Sequence, residues 1–121
     1  MSAARPTASW SADELERRAL LEQGIGVAVN LRRHANLIAW ATVRDLCVRV
    51  DRATPWGNPF DLGKDGDRET VIASYRDHYL PFKPSLLARL GELHGKALGC
   101  RCAPAPCHAD VLVREMERRW V

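Results

Sequence analysis

A small α/β fold, with a three- or four-stranded sheet, flanking helices and a single domain, follows from three observations. Short apolar runs of strand length alternate with segments of helical period. Glycine or proline punctuates most of the junctions. A chain of 121 residues suits one core of this size. The reading divides it into a flexible leader (1–10), an added N-terminal helix (11–24) and the α/β domain proper (25–121).

The helix over Ser11–Gln23 has a complete start signal. Ser11 and Glu14 fit a capping box, Trp10 and Leu15 fit a hydrophobic staple, and Gly24 supplies the stop. Ile25–Leu31 reads as a strand. Leu37–Val43 is apolar without clear period and is left between helix and strand. Asp45–Asp51 reads as a second strand, with Leu46, Val48 and Val50 on one face and Cys47, read as a small buried hydrophobe, on the other. Thr54–Asp67 is a loop stiffened at Pro55 and Pro59. Arg68–Leu80 carries Val71, Ile72, Tyr75 and Tyr79 at helical spacing, with Asp67 as its N-cap. Pro84–His94 repeats leucine on one stripe from Leu86 to Leu93, Ala97–Cys102 is extended, and Ala109–Trp120 closes as a helix through Leu112, Met116 and Trp120.

Composition narrows the class of function. With 46% hydrophobic and 27% charged residues the chain reads as an ordinary soluble domain. It has no apolar run near the roughly 20 residues of a membrane span, so no membrane partner is expected. The first ten residues lack a secretory apolar stretch, which gives a cytoplasmic expectation. A net charge of +3 is compatible with a polyanionic partner, although the paired arginines have acidic neighbours and read as solvated faces.

Three of the four cysteines lie within Cys100–His108. Thiolates and an imidazole at this spacing are what a tetrahedral zinc ion takes, and Cys100, Cys102, Cys107 and His108 are the candidate ligands. The same residues suit an activated thiol: Cys107 at a helix N-terminus, with His108 or His94 as base. Metal-free packing of the cysteines is the third reading. Asn30, Arg52, Trp56, Asn58, Lys64 and Arg68 lie at strand ends or in the long loop, where α/β sheets gather ligands. Arginines there suit a phosphate or carboxylate, Asn58 an amide or base edge, and Trp56 a ring to stack on. The same residues also read structurally, with Trp56 and Phe60 as loop anchors and Asn58 holding its turn.

The blocks Val29-Asn30-Leu31-Arg32, Trp56-Gly57-Asn58-Pro59-Phe60, Lys64–Glu69 and Leu93–Cys102, with Cys107-His108-Ala109-Asp110-Val111-Leu112, resemble one known family. It is the domain-of-unknown-function family 4326, of small bacterial and phage domains. The resemblance covers roughly residues 27–116 and leaves the first helix outside. It implies a site shared by the loop and the cysteine cluster. Arg101 stands where the family often has Trp, Ala109 where it often has Gly, and His34–Arg44 is a longer connection.

Three functional expectations follow. The first is a Cys/His zinc site beside a pocket for a nucleotide or nucleic acid, with His108 as fourth ligand or general acid–base and Asn58 beside it. The second is a non-enzymatic, zinc-stabilised module binding nucleic acid or protein. The third is a thiol enzyme using Cys107 and His108.

Overall fold

The computed structural model describes residues 9–119, so the leader, save its last two residues, and the Trp120 end of the last stripe lie outside the described residues. Helix α1 (Ala12–Glu22) opens on the expected capping box: Ser11 Oγ accepts from Glu14 N and Glu14 Oε1 accepts from Ser11 N, both at 3.0 Å. Its end is a Schellman motif. Gly24 sits at φ +81°, with its N–H on Leu21 O and that of Ile25 on Leu20 O. Strand β1 (Val27–Asn30) follows.

The ambiguous apolar segment is a helix, α2 (Ala35–Val43). It closes by the same motif as α1, but Asp45 occupies the left-handed position at φ +55°. Without the usual glycine, the stop was hard to read from sequence. Strand β2 (Cys47–Arg49) is shorter than the expected Asp45–Asp51. Leu46 belongs to the schellman turn before it and packs with Cys47 on the α1/α2 side, whereas Val48 and Val50 pack on the other.

Helix α3 (Arg68–Ser74) starts on Asp67, whose carboxylate accepts from Thr70 N. It then widens into a π turn and a 3-10 turn ending at Phe82. The leucine stripe expected as one helix is broken into α4 (Pro84–Leu87) and a 3-10 turn (Leu90–Leu93). Gly91, a poor helix former, lies within that 3-10 turn, while Leu86, Leu90 and Leu93 still point inward. Strand β3 (Ala97–Cys100) stops two residues before Cys102, and α5 (His108–Arg119) completes the fold.

The three strands run parallel in the order β1-β3-β2. Sitting between the other two, β3 is buried along its whole length, as its sequence Ala-Leu-Gly-Cys allows. Gly99 permits this closeness, since a Cβ there would fall 2.6 Å from Leu31 Cδ2. Val27, Val29 and Ala97 pack under α1 and α2 with Trp10, Leu21, Leu37 and Ala41. Ala28, Leu98 and Cys100 pack against Tyr75, Leu90, Leu93, Leu112 and Met116 on the opposite face. Helices therefore cover both faces of the small sheet. Trp10 joins the first cluster, but Leu15, its expected staple partner, is 40% exposed.

Candidate functional site

Because the strands are parallel, their carboxyl ends share one edge, and every turn leaving that edge can contribute to one site. At this edge lies a cavity of about 420 Å³. Its base includes Cys100, Cys102, Cys107 and His108. Arg49, Arg52, Arg68 and Arg101 line it with Asp51, and Phe60, Leu62 and Ile72 add apolar surface.

The sulfurs of Cys100 and Cys107 are 3.2 Å apart, and both residues are buried. Cys100 ends the central strand. Cys107 immediately precedes α5, and its N–H donates to Asp110 Oδ2 at 2.9 Å, which fixes the turn into the helix. Contact with the Cys107 sulfur, helped by the N–H groups of Cys102 and Ala103, brings the Cys100 thiol down to about 6. Cys107 is pushed up by its contact with Cys100 and by burial. Cys102 lies in the turn after β3 and is only half-buried.

His108 Nε2 donates to the Val50 carbonyl at 2.6 Å, and its ring meets Tyr75 edge-on with centroids 5.0 Å apart. Burial lowers its pKa. The imidazole thus ties the start of α5 to the end of β2. Among the described residues no three His, Cys, Asp or Glu side chains are grouped as a metal ion requires. The three cysteines expected as zinc ligands share the cavity, while the imidazole expected beside them has Nε2 committed to Val50.

Asp51 pairs with two of the cavity's arginines. Its Oδ2 meets Arg49 at 2.5 Å and Arg101 at 3.9 Å, while its buried Oδ1 has no hydrogen-bond partner. The Arg49 guanidinium holds the carboxyl below its usual range, with Arg101 adding to the effect. Arg68 donates to the Pro106 carbonyl at 3.1 Å, joining α3 to the cysteine turn. Arg52 donates to the Asn58 and Phe60 carbonyls and pairs with Asp61 at 2.5 Å, pinning the loop to the end of β2. Gly57 makes that contact possible, because a Cβ there would lie 2.5 Å from Arg52 Cα.

Of the expected ligand-binding residues, Arg52, Asn58 and Arg68 line the cavity, and Asn30, Trp56 and Lys64 do not. The Asn58 amide is engaged in the loop, donating to Val71 O and accepting from Phe60 N, both at 3.0 Å. It holds its own turn, the structural one of the two readings its sequence position allows. Trp56 is 2% exposed and packs in the core, with its carbonyl accepting from Tyr75 Oη, so it offers no stacking face. Asn30 is a tether. Its Nδ2 donates to the carbonyls of Arg101 and Ala103, and its Oδ1 accepts from Arg32 N and Arg33 N. Arg49, Asp51 and Arg101 were missed as site residues. The signal that finds them is position: they end or follow strands at the carboxyl edge.

A profile of the family described as Domain of unknown function (DUF4326) matches residues 29–118. The chain is also similar to the uncharacterized 12.4 kDa protein of the nrdA-td intergenic region of Enterobacteria phage T4. The two are 37% identical over 78 residues, covering 61% of this chain and 70% of the phage protein. No solved structure matches the chain significantly. Among the described residues no helix is long and apolar enough to cross a membrane.

Proposed function

The chain belongs to the DUF4326 family of domains of unknown function, and within that frame we propose that it binds a phosphate-bearing small molecule of nucleotide size at the carboxyl edge of its sheet. One observation carries this reading: a cavity of about 420 Å³ combines a guanidinium rim with an apolar wall. Its volume falls within the roughly 300–1,000 Å³ of small-molecule sites. Arg68 and Arg101 are the most loosely held of the rim arginines, Arg68 on one carbonyl at 3.1 Å and Arg101 3.9 Å from Asp51. Arg49, by contrast, meets Asp51 at 2.5 Å, and Arg52 has three partners. Arg68 and Arg101 are therefore the phosphate-binding pair. Phe60, with Leu62 and Ile72, receives the heterocycle in place of the buried Trp56. Arg52 and Asn58 act indirectly by holding the loop that carries Phe60.

The test is calorimetric titration of the full chain with nucleoside monophosphates and with inorganic phosphate. Arg68→Ala and Arg101→Ala should each weaken nucleotide binding about tenfold, as loss of one charged hydrogen bond implies. Phe60→Ala should weaken nucleotides and leave phosphate unchanged, and Lys64→Ala should change neither. Absence of binding by any phosphorylated probe, or binding indifferent to both arginine variants, refutes the reading. Tight binding of single-stranded DNA alone, falling steeply with salt, would replace it with a nucleic-acid site.

A further inference from the structure

We propose that Cys100 and Cys107 form a redox-active dithiol, closed to an intramolecular disulfide by small anionic disulfides admitted through the cavity. The choice of anionic substrate rests on the anion-binding reading above; the couple itself rests on geometry alone. The sulfurs stand 3.2 Å apart, in direct hydrogen-bond contact with nothing between them. Bond formation requires an approach of about 1 Å, to a separation near 2.05 Å. Each cysteine sits on a firm support. Cys100 is paired into the central strand opposite Asn30, and Cys107 is held at the start of α5 by Asp110.

Both residues are buried among core side chains yet line the cavity, which is the side from which an oxidant would approach them. The fourth cysteine, Cys47, packs on the opposite face of the sheet and takes no part. Cys102 lines the same cavity and serves as the internal control, because it has access to the same reagents.

The Cys100 thiolate attacks one sulfur of the substrate RSSR. A Cys100–SR bond forms, the substrate S–S bond breaks, and RS⁻ leaves. The Cys107 thiol then loses its proton to the released thiolate and attacks Cys100 Sγ. The mixed disulfide breaks and a second RS⁻ departs. Two electrons pass from the cysteine pair to RSSR, giving one protein disulfide, one RSH and one RS⁻. Excess RSH reverses the exchange. The arginine rim favours an RSSR that carries carboxylates.

The experiment equilibrates the full chain with glutathione disulfide, which is anionic, and separately with the neutral cyclic disulfide of dithiothreitol, each against its thiol. Metal content is measured on the starting material. Remaining thiols are alkylated, and the linkages are mapped by mass spectrometry. The expected product is a single Cys100–Cys107 disulfide, with Cys102 and Cys47 alkylated. Glutathione disulfide should oxidise the pair at least tenfold faster in wild type than in Arg101→Ala, with the neutral reagent little affected. In Cys107→Ser the glutathione adduct should accumulate on Cys100. The wild-type map does not depend on that variant folding.

Thiols that stay reduced with both reagents overturn the couple. So does a bond mapped to Cys102, or masking of the thiols by a co-purified metal until chelation. Disulfide formation at a rate indifferent to Arg101 and to reagent charge leaves the couple standing and removes only the anionic substrate. Failure of nucleotide titration is scored separately and does not touch the linkage map.

Discussion

The two ends of the hydrogen-bond system around β1 and β2 treat ionisable side chains in opposite ways. Where α1 and α2 meet the sheet, the buried acid and imidazole are matched from within the protein, while the indole N–H groups of Trp10 and Trp40 have no hydrogen-bond partner. Glu14 accepts from Ser11 N, from the Asn36 amide and from Leu37 N at 2.9 Å. His34 accepts from Asn30 N on Nδ1 and therefore donates from Nε2 to Asp13, at 2.8 and 2.6 Å. At the carboxyl edge of the sheet, Asp51 keeps an unmatched oxygen, Arg101 has one distant partner, and two thiols have each other. The first region uses polarity to fix elements, and the second leaves it open toward a cavity. The family match begins at residue 29, after α1, and includes the cavity-lining residues. The closed region joins α1 to the matched residues, while the open one lies within them.

Gly57→Ala should have the largest effect and erase the contrast, because the new methyl group meets the backbone of Asp51 and Arg52. Overpacking against main chain, with no flexible neighbour to give way, should cost about 3 kcal/mol. The loop would move off β2, taking Phe60 and Arg52 with it. Urea unfolding should show the lost stability and nucleotide titration the lost affinity. A variant as stable as wild type would show that the loop and β2 are not pressed together.

Glu14→Ala should separate stability from binding. It removes the carboxylate shared by the first turns of α1 and α2, and α2 has no side-chain cap from its own N-cap residue, His34. A loss of about 2 kcal/mol is expected, with ligand affinity unchanged. Burial alone would raise the Glu14 carboxyl, but the Ser11 and Leu37 N–H groups outweigh it and hold it below 4.5. Its stabilising contribution is therefore full above 4.5 and lost as pH falls through the lower folded value. Glu14→Gln should flatten that acid limb of a stability–pH curve. An unchanged limb would assign acid sensitivity elsewhere.

This contrast was partly legible in the sequence. Ser11 and Glu14 announced the α1 cap because a capping box is local, and Asp67 announced the start of α3 for the same reason. The second duty of Glu14, on Leu37 N, spans 23 residues and has no local signature. Cys100, Cys102 and Cys107 were legible as a cluster because they are close in sequence. The strand end after Cys100 and the Val50 contact of His108 were not. Asn30, Trp56 and Asn58 carried side chains suited to ligands. Their engagement with Ala103, the core and Val71 depends on how distant segments meet. Arg49 and Arg101 became site residues only when the order β1-β3-β2 placed their strand ends together.

The smallest effects come from removing one arginine at each end, and they test whether the two regions answer to different observables. The Arg18 guanidinium lies 5.1 Å from the Trp10 ring centroid and 5.0 Å from that of Trp40. Its truncation removes cation–π contacts worth about 1 kcal/mol, so Arg18→Ala should lower stability by that amount and leave nucleotide affinity intact. Arg68 makes one exposed hydrogen bond, to Pro106, so its loss should barely move the unfolding midpoint while weakening the ligand about tenfold. Measured on the same preparations, the two variants should fall on perpendicular axes of a stability–affinity plot. If both moved along one axis, the polar groups at the carboxyl edge would be bracing the fold as Glu14 does, and the open cavity would lose its claim to a ligand.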